Sequence, residues 1–134
     1  MKLCETEIVT FTEGRRSRFC ARGTLAEEDG AFVVRYADEG DAVTLTVREG
    51  SLAMAREGKL SAVFQPHCAT EMRVLAGESC GAIPVRTEEL RIRRSTDGFT
   101  ALLRYRLCFP ADEQKFTLKI AIGIISEEGW KYDI

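Results

Sequence analysis

From Phe99 to Phe109 every second side chain is apolar: Phe99, Ala101, Leu103, Tyr105, Leu107 and Phe109, with Thr100, Arg104 and Arg106 among the positions between them. The alternation resumes on even positions as Phe116, Leu118, Ile120, Ile122 and Ile124, set against Thr117, Lys119, Ala121 and Gly123. A helix places its apolar residues three and four apart, whereas a strand with one face on a core places them two apart. These two stretches are therefore read as half-buried strands. Val43, Leu45 and Val47 alternate with Thr44, Thr46 and Arg48 in the same way, in residue types that favour strand.

Turn residues punctuate the chain at short intervals: Glu28-Asp29-Gly30, Glu39-Gly40-Asp41, Glu49-Gly50-Ser51, Glu57-Gly58-Lys59, Gly77-Glu78-Ser79 and Asp97-Gly98. Strands separated by such turns every 8–12 residues or so indicate a sandwich or barrel. The segments read as strands are 2–12, 17–27, 31–38, 42–48, 51–56, 60–65, 70–76, 82–95, 99–109 and 114–125. Residues 50–57 have helical propensity, but glycines bound them on both sides, so they too are read as strand. So many hairpin-linked strands must dispose of their edges, and closure does so. The expectation is an all-β fold: a single antiparallel up-and-down barrel of eight to ten strands over residues 1–134, with Gly23, Gly81 and Gly123 suiting its bends or bulges.

Two registers follow from the turns. A two-residue type I′ turn at Asp97-Gly98 sets Thr96 opposite Phe99, Ile92 opposite Leu103 and Leu90 opposite Tyr105, with Glu89 facing Arg106 and Arg91 facing Arg104. Setting Phe109 against Phe116 aligns Leu107 with Leu118, Tyr105 with Ile120 and Leu103 with Ile122. Within 82–95 the parity changes: Ile83 and Val85 are odd, Leu90 and Ile92 even. A bulge or corner near Arg86–Glu89 accounts for it.

A formal charge of −2 gives no overall electrostatic pull toward nucleic acid or membrane. Within it lies an asymmetry: fourteen of the nineteen basic residues are Arg, six of them between Arg86 and Arg106. The start of the chain, Met1-Lys2-Leu3-Cys4-Glu5, has no apolar signal core, and no apolar run reaches the roughly 20 residues a spanning helix needs. A cytoplasmic setting with no membrane association is expected, and the five scattered cysteines are expected to be free thiols, several acting as small hydrophobes.

The chain resembles the YwiB-like family of small bacterial proteins. The resemblance runs from about residue 20 to 124, through Tyr36, Val47-Arg48-Glu49-Gly50, Met54 with Arg56-Glu57-Gly58, Phe64, Cys80-Gly81, Val85-Arg86-Thr87, and Tyr105 with Leu107. It departs at Cys80, where the family often has an aromatic residue, and at Pro66-His67, where a glycine often stands. The resemblance implies a calycin-type, lipocalin-like barrel and no established activity.

The sequence carries no nucleotide-binding, nucleophile-elbow or zinc-protease motif. His67 is the only histidine. It adjoins Cys68, but neighbours on an extended strand point apart, and a zinc site needs three or four ligands. No catalytic residue, metal site or cofactor is assigned, and an enzyme ranks behind two binding readings. In the first, the barrel holds a small apolar ligand oriented by Tyr36, Tyr105 and Glu88. In the second, Arg91, Arg93, Arg104 and Arg106 form an outer face that docks an anionic partner, an acidic protein or RNA. The sequence leaves oligomeric state open. The aromatic tail Gly129–Ile134 either caps one barrel end, the preferred reading, or anchors a partner.

Overall fold

The structure, a computed structural model, describes residues 1–125. The segment read as a barrel cap, Gly129–Ile134, lies outside the described residues. Ten strands follow one another: β1 (Lys2–Thr12), β2 (Arg15–Glu28), β3 (Ala31–Asp38), β4 (Asp41–Arg48), β5 (Ser51–Arg56), β6 (Leu60–Phe64), β7 (Ala69–Ala76), β8 (Ser79–Ser95), β9 (Gly98–Phe109) and β10 (Asp112–Ile124). Each pairs antiparallel with the next, and β10 returns to β1, closing an up-and-down barrel. Among the described residues no helix is long and apolar enough to cross a membrane.

Three hairpins turn on two residues that both have positive φ: Glu13-Gly14, Asp29-Gly30 and Glu39-Gly40. That is the geometry whose twist matches two right-twisted strands. The other architectural cue is the alternation itself. Inward positions of all ten strands contribute to one core, and Leu45, Leu52 and Leu103 are fully buried with Phe64, Phe99 and Ile120 nearly so. Each such side chain contributes roughly 1.5–3 kcal/mol by leaving water. Phe32 stacks on Phe99 with ring centroids 4.8 Å apart, and Tyr105 lies between Phe64 and Phe116 at 4.5 and 5.0 Å.

Both registers expected from the turns differ from those observed. β8 and β9 pair Leu90 with Leu103, Ile92 with Ala101 and Ser95 with Gly98, so Thr96-Asp97 is the turn and the ladder is displaced by two residues. Gly98 is needed for contact rather than for the turn, because a Cβ there would run into the carbonyl oxygen of Ile122 on β10. β9 and β10 pair Leu103 with Leu118, Tyr105 with Phe116 and Phe109 with Asp112, so the connection is the tight Pro110-Ala111 and the ladder moves by four. Both displacements are even, so every side chain keeps its face.

The expected irregularity in β8 is present as a register shift between Thr87 and Glu89. Before it β8 pairs with β7, and after it only with β9. β2 behaves similarly: Gly23–Glu28 pairs with β3, while Arg15–Arg22 pairs with β1 alone. The anticipated role of cysteines as small hydrophobes holds for Cys4, which is fully buried, but Cys20, Cys68 and Cys80 are exposed.

Candidate functional site

The residues proposed to meet a guest inside the barrel do not converge. Tyr36 and Tyr105 point into the core, and burial pushes both phenols up to about 12, with the Asp38 carboxylate adding to the effect on Tyr36. Glu88, the extra residue of the bulge, is thrown onto the outer wall, where its carboxylate accepts from Arg106 Nε at 2.8 Å. That hydrogen bond holds the Glu88 carboxyl below its ordinary range.

The arginine face exists, in a different pairing from the one expected. Arg104, and not Arg106, stands opposite Glu89, and Arg91 stands opposite Leu102. Glu89 serves two cations, Arg91 at 2.5 Å and Arg104 at 3.6 Å. Arg106 is held between Glu88 and Glu113, at 2.8 and 3.0 Å. Arg93 has no carboxylate partner among the described residues. Three of the four guanidinium groups are thus matched locally, and such exposed pairs are individually weak.

The register brings other residues to this face that the arginine spacing alone does not reveal. Across β1, β10, β9 and β8 the outward row reads Val9, Lys119, Leu102, Arg91, and the next reads Glu7, Ala121, Thr100, Arg93. Together they line a depression of about 400 Å³ whose floor is Val9, Leu102 and Ala121. Although Val9 faces outward, it is only 8 % exposed. Lys119 leans over the Phe11 ring, with its ammonium 5.5 Å from the centroid. The apolar floor has Arg91, Arg93 and Lys119 at its margin against the single carboxylate of Glu7, with Arg91 already paired to Glu89, which leaves an excess of positive charge.

A second cluster went unrecognised because it sits at an inward position. Arg56 continues the inward row of Leu52 and Met54, opposite Val43, at one end of the barrel. Its Nη1 donates to Asp38 at 2.9 Å and its Nε to Asp41 at 2.8 Å, while Lys59 reaches Asp41 at 2.7 Å. The Lys59 and Arg56 hydrogen bonds hold the Asp41 carboxyl below its usual range. Arg56 therefore ties the β3–β4 turn to the end of β5. Its donors are occupied, which makes it a clamp rather than a binding group.

A third feature lies where β7, β8 and β9 meet. His67, Cys68, Arg86, Glu88 and Cys108 line one depression beside the bulge. Sequence reasoning reached His67 and Cys68 through their adjacency. Arg86 and Cys108 join them only through the ladder. Among the described residues no group of three or more His, Cys, Asp or Glu could hold a metal ion.

The chain is a closed, ten-stranded, antiparallel up-and-down β-barrel with a cation-rimmed depression in its outer wall. No family model and no curated protein matches it in sequence. A solved structure does share the fold: the ywiB protein from Bacillus subtilis, with a TM-score of 0.72 and 12 % identity over 92 % of this chain and 91 % of that one. The structural neighbour is the one the sequence resemblance anticipated, and at this identity it carries the fold alone.

Proposed function

We propose that the protein is a binding module whose outer wall docks an acidic polypeptide segment. The observation that carries this reading is the depression between β1, β10, β9 and β8, where Arg91, Arg93 and Lys119 surround Val9, Leu102 and Ala121. An acidic segment bearing one or two apolar side chains complements both parts. RNA fits less well, because Lys119 leans over the outward Phe11 ring beside the depression, leaving little surface there for base stacking. A reducing cytoplasm suits a chain with three exposed thiols.

The test is a titration with a Glu-rich peptide carrying leucines. Binding should weaken with added salt, and Arg93→Glu or Lys119→Glu should each weaken it further, by roughly tenfold. Binding that ignores both reversals removes the reading, as does tighter binding of an oligonucleotide of matched charge.

A small apolar ligand in a lipocalin-like interior is the second reading. It is favoured by the hydroxyl of Thr87, buried without a partner, which one polar group on an otherwise apolar ligand would satisfy. Such a ligand would have to part the Phe64–Tyr105–Phe116 stack. An apolar dye that binds without moving the aromatic resonances of those residues would count against it.

A further inference from the structure

The depression where β7, β8 and β9 meet measures about 440 Å³, within the range of small-molecule sites. It gathers the only histidine and two of the five cysteines. Pairing of the two thiols is excluded by the ladder. Cys68 precedes Ala69, which stands opposite Arg86, and Cys108 follows Leu107, which stands opposite Val85. The thiols are thus two strands apart and offset by three residues, about 14 Å between Cα atoms on standard sheet spacings. A disulfide tolerates about half of that.

Charge is what distinguishes this corner. Arg86 stands directly opposite Arg106 on the outer face, and Arg106 in turn stands opposite Lys115. Like charges facing each other across strands oppose pairing. Both neighbouring carboxylates, Glu88 and Glu113, are engaged by Arg106. Glu71, one ladder step from Arg86 on β7, makes no ion pair with it. Arg86 is left with no carboxylate among the described residues, on the wall of a depression. His67 lies on the same wall, on a backbone held at φ 65°, in the left-handed region that non-glycine residues rarely occupy. The Glu88 carboxylate also lines the depression, but it is neutralised by its two contacts with Arg106.

We propose that this depression binds a small oxyanion, the phosphate or carboxylate of a metabolite, with Arg86 as its principal donor, His67 as a second, and Pro84 and Ala69 beside its apolar part. The anion would supply the negative charge that Arg86 lacks. The site is separate from the peptide-docking depression and does not depend on it.

The two thiols report occupancy. Cys20 and Cys80 are exposed and do not line this depression, so they serve as internal references. Alkylation with iodoacetamide is followed at each cysteine by mass spectrometry, with inorganic phosphate, acetate, or chloride at matched ionic strength. One of the two oxyanions should slow modification of Cys68 and Cys108 several-fold relative to Cys20 and Cys80, and chloride should not. Arg86→Gln should abolish the protection, whereas Arg93→Gln, in the other depression, should leave it intact. Protection by phosphate assigns a phosphate ligand, and protection by acetate alone assigns a carboxylate. Uniform rates in every salt, equal protection by chloride, or protection that survives Arg86→Gln would each overturn the proposal.

Discussion

Replacing Gly98 with alanine tests the close seam between β9 and β10. Gly98 has φ 143° and pairs with Ser95, and a Cβ on it would run into the backbone carbonyl of Ile122. Two costs combine. Holding a non-glycine residue in this sparsely populated region costs about 1–3 kcal/mol. Relieving the overlap means moving β9 away from β10, an overpacking cost of about 1–3 kcal/mol. The sum is roughly 2–6 kcal/mol, which lowers the melting temperature by about 7–21 °C in a chain of this size. Gly30→Ala separates the two costs, because Gly30 has φ 78° but open space around its Cβ position, so only strain of about 1–2 kcal/mol applies. Gly81→Ala has neither problem and should be neutral, or stabilising by under about 1 kcal/mol through the unfolded chain. Urea denaturation of the three variants should give that order. If Gly98→Ala proves no worse than Gly30→Ala, the close approach to Ile122 is wrong.

Three further outcomes can be measured. Leu103→Ala, at a fully buried position, should cost about 2–5 kcal/mol in urea denaturation, whereas Leu102→Ala on the outer wall should cost under about 1.5 kcal/mol and weaken peptide binding. Tyr36 and Tyr105 are raised to about 12 in the folded state, so the unfolded chain releases those protons first. Stability should then be intact below about pH 10 and fall as pH climbs from there toward 12, with a shallower fall in the double Tyr→Phe variant. The Glu88 carboxyl, held low by Arg106, contributes its small stabilisation above the ordinary carboxylate range and loses it as pH falls through the lowered value. In Arg106→Gln its midpoint should move back up in a carbon-detected NMR titration.

The period of two made the strands, the closed architecture and the break at Glu88 legible, because burial on one face leaves a regular mark that a bulge visibly interrupts. Register was less accessible. Any even displacement keeps Leu103, Leu118 and Leu90 facing inward, so the apolar pattern alone does not select among ladders. The Asp97-Gly98 dipeptide suggested a turn centred there, but packing of Gly98 against Ile122 set the pairing. The outer-wall site suffered from the same limit. Its arginines were visible as a local cluster, while Val9 and Lys119 reach it from strands that adjoin β9 only after closure. Arg56 was missed because a charge at an inward position contradicts the rule that located its neighbours. The carboxylates of Asp38 and Asp41 make that position tolerable.

Two stretches of the wall have a ladder on one side only, Arg15–Arg22 of β2 and Thr87–Ser95 of β8. Unsatisfied backbone along such a border is what lets neighbouring molecules stitch together. These borders carry Arg15, Arg16, Arg18 and Arg22 on one and Arg91, Arg93 and Arg94 on the other, half of the arginines in the chain. A second copy offering the same border would meet Arg15, Arg16, Arg93 and Arg94, which have no carboxylate partner among the described residues, whereas Arg18, Arg22 and Arg91 are paired with Glu7, Glu5 and Glu89. Unpaired like charges on such a border oppose stitching. An acidic segment of the kind proposed above would meet no such barrier.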